Sequence, residues 1–130
     1  MLFTVTPIYA LATSAIQLTL WFRVSAARSA AGVSFGDGGD PALLRRVRQH
    51  GNCAEWTAFV LILMILAEGM DASAVWLHAS GALLLVGRLA HPFGLKPDDA
   101  GHPMRYLGNG ANLLAALAAL ACIALRLLDI

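Results

Sequence analysis

Charge is scarce in this chain. Of 130 residues only 13% are Asp, Glu, Lys or Arg, and the formal net charge is +1. That balance excludes the broad basic field with which proteins hold nucleic acid. Cysteine is scarcer still. The two cysteines, Cys53 and Cys122, fall in apolar or helical stretches without metal-ligand spacing, so they read as buried thiols rather than as zinc, disulfide or redox chemistry. No positive region precedes the first apolar run, and that run exceeds a signal-peptide core, so it is expected to be a retained span. Repeats and low-complexity tracts are also missing, apart from an alanine and leucine enrichment near the C-terminal end. What the chain has is apolar surface. It is 58% hydrophobic, with a mean hydropathy of +0.68, more than a soluble domain of this size can hide.

The length fits one domain, residues 1–130, with four helices expected at about 5–27, 41–68, 72–91 and 104–128. Crossing a bilayer takes about 20 predominantly apolar residues. The first, third and fourth segments reach or approach that length. The uncharged run Trp56–Ala67 does not, unless its helix extends backwards through the polar stretch "RRVRQHGNCAE". The preceding "GDGGDP" supplies a start, with Asp40 as N-cap and Pro41 at the first helical position. The second helix therefore carries its polar first half through the interface. In the fourth segment Gly108, Ala111, Ala115, Ala118 and Ala119 are small enough to let a neighbouring backbone approach. The fold class expected is all-α: an antiparallel bundle of four transmembrane helices.

The nine basic residues fall almost all on one side of such a bundle. Arg23, Arg28, Arg45, Arg46 and Arg48 flank the first loop, and Arg88, Lys96 and Arg105 flank the third. Only Arg126 lies opposite. The positive-inside rule then puts loops one and three in the cytoplasm and both termini outside. At about 100° per residue, Arg45, Arg48, Asn52 and Glu55 form one stripe of the second helix, while His50 points some 160–180° away from Asn52 and Glu55. Glu55 is expected near headgroup level, paired with Arg48 or with a basic residue of another helix. Arg28, Arg88, His91, Arg105, Asn109 and Asn112 converge on the same end, a cationic cluster with one carboxylate suited to a small anion. An interfacial ion-pair cluster that anchors the second helix explains the stripe equally well. His91 stands open as ligand contact, helix cap or partner of Glu55. His78, mid-helix and remote, reads as a packing histidine.

These residues resemble a known family. "LLRRVRQHGNCAEW" before an apolar run is similar to the R-x-H-x-N-x-x-E signature of the MAPEG superfamily, the membrane-associated proteins of eicosanoid and glutathione metabolism. "GDGGDP" and "WLHASGALLLVGRLAHPFG" resemble its small bacterial branch. The resemblance runs from the first helix to the fourth. It implies a homotrimer with glutathione sites between protomers near the cytoplasmic face. It further implies that Arg48, Asn52 and Glu55 hold the tripeptide, with Trp56, Arg88, His91 and Asn109 beside it, and that His50 reaches the ligand of a neighbouring protomer. By the same resemblance Arg105 activates the thiol as thiolate, and Arg28 assists a lipophilic second substrate. The implied reaction is conjugation to an electrophile or reduction of a hydroperoxide, in a bacterial inner membrane.

The chain departs from the family pattern near the sulfur. Trp56 stands where active members commonly have tyrosine, Ala58 replaces a usual proline, His91 and Leu95 take tyrosine positions, and Asn109 replaces another. A non-catalytic trimer that binds lipid headgroups or another small anion is the alternative of a different class. A transporter subunit is a third, which no paired, broken half-helices support.

Overall fold

A computed structural model describes residues 3–128, which form four helices and, among the described residues, no strand. They are α1 (Thr6–Ala31), α2 (Pro41–Gly69), α3 (Ala74–Gly94) and α4 (Pro103–Leu127). Local signals set most of the ends. Asp40 Oδ1 accepts from the Ala42 N–H at 2.8 Å, with Pro41 in the first turn, so α2 starts where the glycine-rich loop stops. Gly32 closes α1 with φ of 64°, a left-handed cap that costs a residue without Cβ little. α1 thus outruns the expected end near residue 27 by four residues. At α4 the His102 ring accepts from the Met104 N–H at 3.2 Å, ahead of Pro103.

α3 runs on to Gly94, past Pro92. A proline this close to the end removes only the bond its own N–H would have made to Arg88 O, and the last four carbonyls have no helical partner in any case. One of these carbonyls is met from another helix: buried Gln49 of α2 donates to Pro92 O at 2.6 Å.

Successive helices run antiparallel. The start of α1 meets the end of α2 through Glu68, Arg88 of α3 meets Asn52 of α2, and Ser80 of α3 donates to Ala115 O of α4 at 2.8 Å. α3 and α4 are the most closely packed pair, whereas α1 touches α2 and α3 but not α4. Glycine permits the α3–α4 approach. A Cβ on Gly108 would lie 2.7 Å from His91 Cβ and 2.9 Å from His91 N. The apolar core contains Val60, Met64, Leu84, Ala115, Ala116 and Ala119, and a smaller cluster holds Val5, Ala67, Leu77 and Cys122. Both cysteines are buried and free.

At the end opposite the arginine-rich loops, the Glu68 carboxylate caps α1. Oε1 accepts from the Thr4 and Val5 N–H groups, both at 2.6 Å, and Oε2 from the Thr6 N–H at 2.8 Å. No side chain of its own caps α1, so a residue more than 60 positions away fills that role. A carboxylate at a helix N-terminus also meets the positive end of the helix dipole. Outwardly the bundle is greasy. Leu11, Phe22, Ile62, Val75, Val86 and Leu117 are among many large exposed apolar side chains, and α2 and α4 are each long and apolar enough to cross a membrane.

Candidate functional site

A cavity of about 330 Å³ opens at the end that carries the first and third loops, between α2, α3 and α4. The four basic side chains Arg45, Arg48, Lys96 and Arg105 line it, with Asn52, His91 and Asn109 as the other polar groups. Pro41, Leu44, Leu95 and Pro97 supply its apolar wall, and no carboxylate lines it. Its size sits at the small end of the range of about 300–1,000 Å³ typical of ligand pockets.

Helical spacing explains the α2 contribution. Arg45, Arg48 and Asn52 recur at three and four residues and so share one face. Arg105 comes from the first turn of α4, where its guanidinium reaches only weakly to Ala100 O at 3.5 Å. Asn109 follows one turn on. His91 is buried, and its Nδ1 has no hydrogen-bond partner.

Behind the cavity lies a polar hub built on Arg88. This side chain is 1% exposed. Its Nε donates to Asn112 Oδ1 at 3.1 Å, and one terminal nitrogen donates to Asn52 O at 3.0 Å and Asn52 Oδ1 at 2.9 Å. Arg88 therefore holds Asn52 in place on the cavity wall while tying α3 to α2 and α4. Its other terminal nitrogen is buried without a partner. A guanidinium in this position must be hydrogen-bonded to be tolerated, and two asparagines meet most of that demand.

Four of the residues singled out in the sequence lie elsewhere. His50 faces α1, where its Nε2 is hydrogen-bonded to Gln17 at 2.7 Å. Arg28 donates to Gly36 O at 3.2 Å in the first loop. Trp56 is half-buried and packs edge-on against Phe59, ring centroids 6.2 Å apart. Glu55 is exposed and flanks Gly51 on the same side as Arg48, without an ion pair among the described residues. Conversely, Lys96 and Leu95 reach the cavity from the loop after α3. The sequence placed Lys96 only in the charge asymmetry, because nothing in its spacing tells where a loop folds back. His78 bonds Tyr9 OH at 3.1 Å, at the other end of α3.

A bundle of four antiparallel helices with an apolar exterior and a cationic cavity at one end is an integral membrane protein of the all-α class. Residues 6–125 match the MAPEG family, and the chain belongs to it. It is also 34% identical over 91 residues, 69% of each chain, to the inner membrane protein YecN of Escherichia coli strain K12, and equally to YecN of Escherichia coli O6:H1.

Proposed function

We propose that this MAPEG protein is a glutathione-dependent transferase or peroxidase that acts on lipophilic electrophiles or hydroperoxides from within a bacterial inner membrane. The observation that carries the reading is the cavity lined by the four cations Arg45, Arg48, Lys96 and Arg105. Glutathione brings two carboxylates and a thiol that must ionise. Arginine forks suit carboxylates. A free thiol, with a pKa of about 8.5, becomes a nucleophile when a nearby cation favours the thiolate. In this reading Arg48 and Asn52 hold the peptide, His91 and Asn109 border it, and Arg105 favours the thiolate. In conjugation the sulfur lone pair forms a carbon–sulfur bond as the leaving group departs or an activated double bond takes up a proton. In hydroperoxide reduction two glutathiones are oxidised to the disulfide, and the products are the alcohol and water.

The same proposal includes a homotrimer. Glu55 and Trp56 would then join Arg48 and Asn52 around the peptide, Arg28 would assist the second substrate, and His50, once released from Gln17, would reach the ligand of a neighbouring protomer. Loops one and three would face the cytoplasm.

The test is a thiolate titration on detergent-solubilised protein. Glutathione is expected to raise ultraviolet thiolate absorbance and the melting temperature together. Arg105→Ala is expected to abolish the first and Arg48→Ala the second. Glutathione without either effect overturns the reading. Because the cavity of the single chain holds no carboxylate to meet glutathione's ammonium, a simple anion-binding role is the second reading. Stabilisation by anionic phospholipid alone, lost in Arg48→Ala, is its signature.

A further inference from the structure

A second cavity, of about 340 Å³, lies between α1 and α3 in the half of the bundle nearer the arginine-rich loops. Its walls are apolar, with Ala15, Ile16, Leu20 and Phe93 among them, and it carries two cations, Arg23 and Arg88. It shares no lining residue with the cationic cavity. We propose that this groove binds an acyl chain bearing one anionic head, with the head held by Arg23 and Arg88.

Three observations support the assignment. Arg88 is 1% exposed, and one of its terminal nitrogens lacks a hydrogen-bond partner. A buried guanidinium donor left open is costly and is met most strongly by an anionic oxygen. The partners Arg88 does have, Asn52 and Asn112, are neutral, so its charge has no counter-ion there. Secondly, apart from the Thr19 hydroxyl, which already donates to Ala15 O at 2.8 Å, the rest of the groove is alkyl and aromatic surface. Phe93 is 72% exposed on its rim, which suits a hydrocarbon chain and offers nothing to a soluble anion. Thirdly, the groove runs along the side of a membrane bundle, so a lipid reaches it laterally without crossing water. Arg23, exposed on α1, supplies a second charge at the same groove. A groove of about 340 Å³ suits a single acyl chain, so a phospholipid would lodge only one of its two chains there. A free fatty acid carboxylate and a phospholipid phosphate share the anionic-head chemistry.

The inference is independent of the glutathione reading, since its ligand meets different residues. The experiment uses delipidated full-length protein in a neutral detergent. Melting temperature is measured with oleate, methyl oleate, phosphatidylglycerol and phosphatidylcholine, with glutathione as a separate arm. Oleate or phosphatidylglycerol is expected to raise the melting temperature by several degrees, the one that does so identifying carboxylate or phosphate as the head. The uncharged ester and the zwitterionic lipid are expected to have little effect. The shift is expected to disappear in Arg23→Gln, which removes an exposed charge, and in Ala15→Trp, which fills the groove from an exposed position, and to survive in Arg48→Ala. Arg88→Gln is avoided because it dismantles the hub. Equal stabilisation by the neutral lipids, no stabilisation by either anion, or a shift retained in Ala15→Trp overturns the proposal. Any of these can occur with the glutathione effect intact.

Discussion

Two buried polar side chains hold this fold to one geometry, and each is costly to disturb. Glu68 accepts three backbone N–H groups at the start of α1. Hydrogen bonds to a charged group contribute about 1.5–3 kcal/mol. Glu68→Ala is therefore expected to lower stability by about 2–3 kcal/mol, read as a fall in melting temperature and as faster amide exchange at Val5 and Thr6. Arg88 behaves similarly but is tied to the site. Asn112→Ala would leave its Nε without an acceptor, at about 1–3 kcal/mol, whereas Asn109→Ala, on the exposed rim, should leave stability within about 0.5 kcal/mol of wild type. Denaturation of the two variants in the same detergent separates a residue that supports the cavity from one that only lines it. None of these partnerships is visible as spacing in the sequence. Glu68 reads there as one more charge at a helix end, because its partners are backbone groups over 60 residues away. Arg88 and Asn52 were visible as members of a polar cluster, but not as each other's partner.

At the level of the helices, more could be read in advance. Asp40, Pro41 and the apolar run from Trp56 place α2, since capping and hydropathy are local. The three- and four-residue spacing of Arg45, Arg48 and Asn52 likewise determines that they share a face. Whether Glu55 belongs with them depends on how far the neighbouring helices extend, and the stripe drifts off the single-chain cavity before reaching it. The close approach of α3 and α4 was foreshadowed by the small residues of the fourth segment, and it yields a sharp contrast between two nearby glycines. Gly108→Ala would drive a Cβ against the His91 backbone and is expected to destabilise by about 1–3 kcal/mol. Gly110→Ala meets nothing within 4 Å and should gain up to about 1 kcal/mol of helix propensity. Melting temperatures that rank the two variants the other way would contradict this packing.

For the whole molecule, the distribution of charge gives the prediction. Only Arg126 of the nine basic residues lies away from the end with the first and third loops. Reporter fusions in spheroplasts should find residues 36 and 97 on the cytoplasmic side and residue 71 outside. Adding three lysines near Ser73 should weaken or invert that preference, because short-loop Lys and Arg counts set orientation. Cross-linking in native membranes is expected to give three linked chains, and a monomer would remove the shared site.

The missing contact between α1 and α4 has a consequence for biogenesis. One hairpin, α1–α2, is fastened by Glu68 at its open end; the other, α3–α4, is zipped by glycine and Ser80. Each is expected to insert as a pair, after which docking brings Asn52 of α2 to Arg88 of α3. The gene should therefore tolerate being cut in the short connection after Asp71, with the two halves, translated separately, finding each other in the bilayer and purifying together on a single tag.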